Sequence, residues 1–282
     1  DPAGNTVHLH ERECSIQRRH QKLIEESPSS ALTPALRERM GAAAVKVAET
    51  AGYLNLGTVE FLLDGKDFYF LEVNARLQVE HPVTEALLGL DLVQWQIRMA
   101  LGEPFGYAQE DLKPRGHAIE ARICAEDPDR DFLPTGGRVE ALDLPVAPGV
   151  RWDTALEEGV TVGSDYDPLL AKAVAWAEDR PRAIRRLDEA LSRTALLGFF
   201  HNIPYLRFVL AHPDFVSGEY STAFATRSAA AWGRVRKDRK LPPEVLATAE
   251  ALRKSGPERR EPREGDRRAV PDPWASLSAW LP

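Results

Sequence analysis

Polar side chains occupy every second position in the middle of the segment FLEVNARLQVEHP, residues 70–82. Strict alternation of polar and apolar residues is typical of a strand with one buried face. The other face would carry an acid, an amide, a guanidinium, a second amide and a second acid in one row: Glu72, Asn74, Arg76, Gln78 and Glu80. Such a row is either a solvated surface or a functional site.

A further carboxylate is expected to lie opposite this row. The runs GTVEFLL and DFYFLEVN are rich in aromatic and β-branched residues and predict a hairpin. A three-residue loop of residues 65–67 would place Glu60 directly across from Glu72, with Asn74 two residues further along. Two opposed carboxylates repel by a few tenths to about 1 kcal/mol. A divalent cation reverses that repulsion.

The chemistry of these oxygens favours a hard cation. Carboxylate and amide oxygens suit Mg²⁺ or Mn²⁺, which usually retain waters and take further oxygens from a substrate phosphate. A solvent-facing hairpin with ordinary surface carboxylates is the alternative, because one wet face is common in antiparallel sheets. The apolar runs EFLL and FYFLEV favour a hairpin inside a larger sheet.

Composition restricts the class of protein. The 282 residues are 43% hydrophobic and 28% charged, which is typical of one large or two medium soluble domains. There is no apolar run of the length that crosses a bilayer. The net charge of -7 argues against a nucleic-acid partner. Cys14 and Cys124 are too few and too far apart for a disulfide framework or a zinc site, so a cytoplasmic location is expected.

The first part of the chain is predicted to mix strands and helices. Residues 7–13 alternate like a strand and lead into the basic run SIQRRHQK. Thr33 is a predicted N-cap before Pro34, and the helix that follows would stop at Gly52. Two short helices are predicted, near residues 84–88 and 92–101.

The rest of the chain predicts a second α+β module and a tail. Short strands with Gly and Pro punctuation fill residues 116–162, and helical periodicity returns in PRAIRRLDEALSRT and NIPYLRFVLAHPDF. Residues 229–282 are charged and Pro-rich, which predicts a flexible, disordered linker with one helix at PEVLATAEALRK. The chain begins without Met, and we expect a fragment of a longer protein.

Four linked motifs carry a family resemblance. FLEVNARLQVEHPVTE, ERECSIQRRHQK, GTVEFL and RGHAIEARICAEDP together resemble biotin carboxylase, the ATP-grasp component of biotin-dependent carboxylases, over residues 1–225. The segment NIPYLRFVLAHPDFVSGEYSTAF looks most like the α chains of acyl-CoA carboxylases. The resemblance implies an α+β fold. Residues 1–104 would be the C-terminal part of an ATP-grasp domain, and residues 105–228 a biotin carboxylase C-terminal domain with a mixed sheet, before the linker.

The resemblance also implies a reaction. In that family ATP, with two Mg²⁺ or Mn²⁺ ions, converts the substrate bicarbonate to carboxyphosphate, and the carboxyl group passes to a ureido nitrogen of biotin. Biotin is carried on another domain, so the implied partners are a biotin carboxyl carrier domain or protein, a second copy of the chain and a carboxyltransferase subunit. Neither a nucleic acid nor a membrane is implied.

Residue roles follow from matching the motifs position by position. Three residues match the metal ligands: Glu60, Glu72 and Asn74. Four match groups that contact bicarbonate: Lys22, Arg76, Gln78 and the backbone of Val79. Glu80 matches the base that deprotonates bicarbonate, and its neighbouring Arg is expected to keep it ionised. Arg122 matches the group that stabilises the ureido oxygen of biotin, and His20 matches a nucleotide contact.

Other features have a simpler interpretation, and other functions stay open. Lys172 in YDPLLAKA is expected only to support the fold. The family's amino-terminal domain and ATP lid have no counterpart here, so we expect this chain alone to be inactive. The alternatives are a non-catalytic assembly fragment, or another ATP-grasp ligase such as half of a carbamoyl-phosphate synthetase.

Overall fold

The computed structural model describes residues 1–163 and 165–238, and it confirms a mixed α and β composition. The helices are α1 Pro34–Thr50, α2 His81–Leu88, α3 Leu92–Ala100, α4 Arg180–Arg193, α5 Ile203–Ala211, α6 Pro213–Ser217 and α7 Phe224–Asp238. The strands are β1 Glu13–Arg18, β2 Gln21–Ser27, β3 Thr58–Asp64, β4 Asp67–Asn74, β5 His117–Cys124, β6 Glu126–Asp127, β7 Leu133–Pro134, β8 Gly137–Arg138, β9 Ala141–Asp143, β10 Val150–Thr154, β11 Thr161–Val162, β12 Leu169–Ala177 and β13 Ala195–Leu197.

A five-stranded antiparallel sheet forms the centre of residues 1–236, in the order β1-β2-β5-β12-β10. β1 and β2 come from the predicted first domain, and the other three strands come from the second. β2 pairs with β5 from Ile24 opposite Ala121 to Ser27 opposite Ala118. The predicted boundary at residues 104/105 therefore does not divide the sheet, because strands from both sides of it are hydrogen-bonded.

The two faces of this sheet have different characters because side chains alternate along each strand. On one face, Ile119, Ala121 and Ile123 of β5 belong to the main core with Leu187 of α4 and Leu206 of α5. On the other face, Ala118 of β5 packs with Val83 of α2 and Val174 of β12. That second face also carries the polar residues at positions 120 and 122, and it faces α2.

The predicted start of the long helix is confirmed. Thr33 is the N-cap of α1, and its hydroxyl oxygen accepts a hydrogen bond from the backbone N of Leu36 at 3.3 Å. Gly52 has a φ of 58°, a left-handed conformation that glycine adopts readily after a helix end. In contrast, α2 begins at His81, three residues before its predicted start near Thr84.

The strand predicted at residues 7–13 is wrong, since β1 begins only at Glu13. Val7 and Leu9 pack against a small core that includes Met99 and Phe105, which explains the alternation without a partner strand. His10 has a φ of 63°, which is incompatible with a continuous strand. Packing of one face produced a strand-like pattern in an irregular segment.

The hairpin of β3 and β4 differs from the prediction in its loop but not in its central pair. The loop has two residues, because Asp64 pairs with Asp67, and not the three that were predicted. A bulge between Glu60 and Phe61 changes the register by one, so that Glu60 still pairs with Glu72. Within the described residues β3 pairs only with β4, so the hairpin is not part of a larger sheet. Its exposed apolar side chains are Leu62, Tyr69, Phe70, Leu71 and Val73.

The predicted start of the linker at Ala229 is wrong, because it falls inside helix α7. Trp232 of that helix is buried, and its indole N–H donates to the carbonyl O of Pro128 at 3.2 Å. Its ring lies edge-on to Tyr205. The rest of the predicted linker, including the helix proposed at PEVLATAEALRK, lies outside the described residues.

Among the described residues, no helix combines the length and the apolar character needed to cross a lipid bilayer.

Candidate active site

One cleft brings together every side chain that the sequence singled out for chemistry. It lies between the β3–β4 hairpin, the N-terminal end of α2 and the polar face of the central sheet. The predicted residues that line it are His20, Lys22, Glu60, Glu72, Asn74, Arg76, Gln78, Val79, Glu80 and Arg122.

The residues after Asn74 line the cleft, but they are not part of the strand that the alternation predicted. β4 ends at Asn74, and residues 75–79 form an irregular segment before α2. Lys172 of β12 fixes this segment by donating from Nζ to the carbonyl O of Val79 at 2.9 Å. Arg12 fixes it from the other side by donating to Oε1 of Gln78 at 2.6 Å. Strand alternation therefore explains Glu72 and Asn74, and long-range hydrogen bonds place Gln78 and Glu80.

The two opposed carboxylates of the hairpin meet at the amide of Asn74. Its Nδ2 donates to Oε1 of Glu60 at 3.3 Å and to Oε1 of Glu72 at 3.1 Å. The positively polarised amide NH₂ of Asn74 thus lies between the two carboxylates. A cation in that place would balance their negative charges. Two carboxylates and an amide oxygen are hard donors that fit Mg²⁺ or Mn²⁺.

Glu60 connects this hairpin to the base of the cleft. Its Oε1 accepts from Nε2 of Gln78 at 2.7 Å and from Nζ of Lys22 at 3.1 Å. Arg12 links the same network to the neighbouring elements through Thr58 of β3 and Thr84 of α2. The carboxylate of Glu60 is therefore held by amide and ammonium donors.

Glu80 is a buried carboxylate with a cation on each side. Oε1 accepts from Nζ of Lys22 at 2.5 Å, and Oε2 accepts from Nη2 of Arg122 at 2.8 Å. Burial alone would raise the pKa of Glu80, but the hydrogen bond and charge of Lys22, with the charge of Arg12, outweigh burial and lower it. The pKa of Glu80 is thus lowered, as expected, but the main cause is Lys22 and not the nearby Arg76.

Arg122 is clamped between two acids. It donates from Nε to Oε1 of Glu25 at 2.6 Å, and its Nη2 reaches Glu80. Burial disfavours the charged guanidinium, but the charges of Glu25 and Glu80 outweigh it and raise the pKa of Arg122. The guanidinium therefore stays protonated in a site that is largely shielded from water.

Two family models match successive segments of the chain. The carbamoyl-phosphate synthase L chain, ATP binding domain model matches residues 1–107. The biotin carboxylase C-terminal domain model matches residues 120–227. The chain belongs to the biotin carboxylase family. Members of this family are ATP-dependent ligases, and the second match disfavours a carbamoyl-phosphate synthetase half.

Individual relatives agree with this family. The biotin carboxylase of Halalkalibacterium halodurans is 52% identical over 227 residues, which are 80% of this chain and 50% of that protein. The alpha chain of mitochondrial methylcrotonoyl-CoA carboxylase from Mus musculus is 46% identical over 226 residues, 79% of this chain and 32% of that protein. One pyruvate carboxylase subunit of Methanothermobacter thermautotrophicus is 50% identical over 79% of this chain and 46% of that protein.

Solved structures of biotin carboxylases share the fold. The biotin carboxylase domain dimer of Hydrogenobacter thermophilus 2-oxoglutarate carboxylase, in complex with MgADP, ADP and bicarbonate, superposes with a TM-score of 0.80 at 43% identity. The match covers 81% of this chain and 51% of that one. The chain thus spans about half the length of this solved structure. It also spans about half the length of the H. halodurans and M. thermautotrophicus proteins.

Two predicted site residues of this biotin carboxylase chain lie at the open edge of the cleft. Arg76 is exposed and donates from Nη2 to Oδ1 of Asn74 at 3.1 Å and from Nη1 to the carbonyl O of Leu77 at 3.2 Å. His20 is also exposed, in the tight turn between β1 and β2, with a φ of 67°. Both are accessible to a ligand that enters the cleft.

Sequence reasoning missed part of the buried support of this cleft. Arg12, Glu25 and Glu120 were not singled out, and Lys172 was assigned to the fold although it also fixes Val79. A signal was available for the two acids, because Glu25 directly follows the apolar pair Leu23 and Ile24, and Glu120 lies between Ile119 and Ala121. Acidic residues are almost never fully buried unless they are paired.

Proposed function

We propose that this chain supplies the carboxy-terminal half of a biotin carboxylase that uses ATP to activate bicarbonate and transfers the carboxyl group to biotin. The observation that carries the proposal is the buried carboxylate of Glu80, held between Lys22 and Arg122. It lies in the same cleft as the two opposed carboxylates of the hairpin. A proton acceptor, two cations and a candidate metal site thus face one cavity.

Glu80 is proposed to take the proton of bicarbonate. Its lowered pKa keeps the carboxylate ionised at neutral pH, which is the state that a base requires. Lys22 attracts the bicarbonate anion to the same place. Arg76 and Gln78 are proposed to orient the anion, since a guanidinium can bind a planar oxyanion through two parallel hydrogen bonds. The backbone of Val79 completes this set.

Glu60, Glu72 and Asn74 are proposed to hold the metal ions of the nucleotide. A bound divalent cation would neutralise charge on phosphate oxygens during transfer. The solved relative that contains MgADP and bicarbonate supports ATP, magnesium and bicarbonate as ligands. His20, exposed in its turn, is proposed to contact the nucleotide, and Arg122 to stabilise the ureido oxygen of biotin.

The proposal extends to partners and location. Biotin is proposed to arrive on a separate carrier domain or protein, and a carboxyltransferase subunit would use the carboxylated product. A second copy of the chain is a further proposed partner, supported by the dimer in the solved 2-oxoglutarate carboxylase domain. A cytoplasmic location is proposed because both cysteines are free thiols, as in reducing compartments.

A non-catalytic assembly fragment is the second candidate function. It is favoured only by the share of the relatives that the chain covers, 50% of the H. halodurans biotin carboxylase. The complete set of polar groups in the cleft argues against it, because a protein that acts only through its surface has no need for a buried carboxylate between two cations.

The test uses the polypeptide encoded by the whole reading frame that contains this chain, hereafter the full-length protein. We expect it to hydrolyse ATP in a manner that depends on bicarbonate and biotin. Glu80→Gln should lower kcat by about 10²- to 10⁴-fold, the usual loss when a general base is removed. Arg76→Ala should raise the KM for bicarbonate. Glu157→Gln and Arg193→Ala, at exposed positions outside the cleft, are the matched controls. Full activity in both test variants would contradict the proposal.

A further inference from the structure

Two acids face each other beneath the cleft, on the polar face of the central sheet. Glu25 of β2 pairs directly with Glu120 of β5 in the sheet register. Both residues are completely buried, with 0% of their surface exposed. Neither residue belongs to the metal or bicarbonate sites proposed above. Two ionised carboxylates opposed in a buried sheet would repel strongly.

The hydrogen bonds of this pair are unevenly distributed. Oε1 of Glu25 accepts from Nε of Arg122 at 2.6 Å. Oε2 of Glu25 and both carboxyl oxygens of Glu120 are buried without a hydrogen-bond partner among the described residues. A buried polar atom without a partner costs about 1–3 kcal/mol. One proton on Glu120 would allow its O–H to donate to Oε2 of Glu25, which removes the repulsion and satisfies both atoms.

The surrounding charges are consistent with one negative charge on the pair. Burial raises the pKa of Glu25 to about 7, with Arg122 opposing that rise. Burial, followed by the charge of Glu25, raises the pKa of Glu120 well above its ordinary value. The charged and titratable groups on the packed elements are Cys14 of β1, Lys22 of β2, Arg122 of β5, Lys172 of β12, Glu80 before α2, and His81 and Glu85 in α2. Nζ of Lys172 forms an ion pair with Oδ2 of Asp153 at 3.1 Å and donates to the carbonyl O of Val79.

We propose that Glu25 and Glu120 share a single proton and together fix the Arg122 guanidinium in the cleft, which makes both acids positioning residues for the biotin step. This inference rests on the proposed function, because Arg122 is the group assigned to biotin there. The anionic Glu25 holds Arg122 through Nε, and the protonated Glu120 holds Glu25 in turn. Arg122 then presents the same guanidinium orientation throughout the reaction.

The first experiment compares two substitutions in the full-length protein. Glu25→Gln removes the charge that holds Arg122, and we expect kcat for biotin carboxylation to fall by about 10-fold or more, as for loss of a charge-assisted hydrogen bond. ATP hydrolysis that depends on bicarbonate in the absence of biotin should stay within about two-fold, since Arg122 is not assigned to that step. A merely structural role would lower both rates together.

The second experiment tests the shared proton. Gln at position 120 imitates a protonated carboxyl group, because its amide N–H can donate to Glu25. Glu120→Gln should therefore keep kcat for biotin carboxylation within about three-fold, whereas Glu120→Leu, which has no donor, should lower it by about 10-fold. An equal loss in Glu120→Gln and Glu120→Leu would overturn the proposal.

In infrared spectra at neutral pH, the band of a protonated carboxyl group should be present in the unmodified protein and absent in Glu120→Gln. Its persistence in Glu120→Gln would also overturn the proposal, and this measurement needs no activity.

Two further variants separate this inference from its foundation. Glu26→Gln is the matched control, since Glu26 is adjacent and buried but binds Arg180 and His117 on the opposite face. A selective loss of the biotin step in Glu26→Gln, equal to that in Glu25→Gln, would contradict the inference. Arg122→Ala tests the foundation and should abolish biotin carboxylation. If Arg122→Ala is active, the proposed function fails. If Arg122→Ala is inactive and Glu25→Gln is fully active, only the inference fails.

Discussion

At the scale of single residues, the reactivity of the cleft depends on what surrounds each carboxylate. Glu80 and Glu25 are both buried glutamates, yet burial is outweighed at Glu80 and prevails at Glu25. The difference lies in the partners, since Glu80 contacts both Lys22 and Arg122. The same residue type thus has a lowered pKa in one place and a raised pKa in another.

Removal of Lys22 should change how stability depends on pH. The folded-state pKa of Glu80 lies below its ordinary value of 4.5. Its ion pair therefore contributes stability above that value, and the contribution is lost as the pH falls through the lowered pKa. Without Lys22, burial would raise the pKa of Glu80, so acid unfolding of Lys22→Met should begin at a higher pH. At neutral pH we expect a loss of about 3 kcal/mol, the lower end of the cost of breaking a buried pair.

Denaturant unfolding of this chain between about pH 3 and about pH 7 measures both effects. Lys46→Met, at an exposed position of α1, is the matched control. Identical pH profiles for the two variants would show that Lys22 does not set the ionisation of Glu80.

The functional side chains were the most predictable feature of the molecule, because spacing and residue type indicate chemistry directly. The opposed pair Glu60 and Glu72 follows from alternation and hairpin pairing, and the structure confirms that pair. The positions of Gln78 and Glu80 could not be derived in that way, because the strand ends at Asn74. Arg12 and Lys172 fix that segment from 66 and 93 residues away, and no local pattern encodes such contacts.

At the scale of elements, the errors of prediction share one physical cause. Periodicity reports which side chains are buried, and it does not report what buries them. Residues 7–13 alternate because Val7 and Leu9 face a small apolar core, not because they pair with a strand. The bulge beside Glu60 changes the register by one residue, and nothing in the local sequence predicts it.

Helix α7 illustrates the opposite error, since its charged composition resembles a linker. Two buried aromatic residues of α7, Phe224 and Trp232, belong to the main core, and Trp232 lies against the rings of Tyr205 and Phe208. Trp232→Ala should lower the free energy of unfolding of this chain by about 3–5 kcal/mol, the usual cost of removing a buried aromatic side chain. Equilibrium denaturation measures this loss.

Val235→Ala provides the comparison for that experiment, because Val235 lies on the same helix with 44% of its surface exposed. Its substitution should change the free energy of unfolding by no more than about 0.5 kcal/mol. Equal losses in the two variants would contradict the docking of α7 through Trp232.

At the scale of the whole molecule, the two family models meet inside one sheet. β1 and β2 belong to the segment matched by the ATP-binding model, and most of β5 and all of β12 belong to the segment matched by the biotin carboxylase model. Arg122 and Glu25 join the two segments chemically, just as the strand pairing joins them structurally. Sequence motifs identify both segments, but the boundary between them is not a boundary in space.

The chain spans about half the length of its bacterial and archaeal relatives. We expect the purified chain to fold but to show no ATP hydrolysis dependent on bicarbonate and biotin, because the groups of the cleft provide only part of a nucleotide site. Phosphate release with and without biotin measures this. Activity of the isolated chain comparable to that of the full-length protein would contradict the expectation.

The central claim is that Glu80 acts as the base for bicarbonate in a biotin carboxylase. The most direct measurement is transfer of labelled bicarbonate to free biotin by the full-length protein and by its Glu80→Gln variant, each with saturating ATP and magnesium. The account predicts ATP-dependent labelling of biotin by the unmodified protein and a loss of about 10²-fold or more in the variant. Equal labelling by both proteins, or no labelling by the unmodified protein, would contradict it.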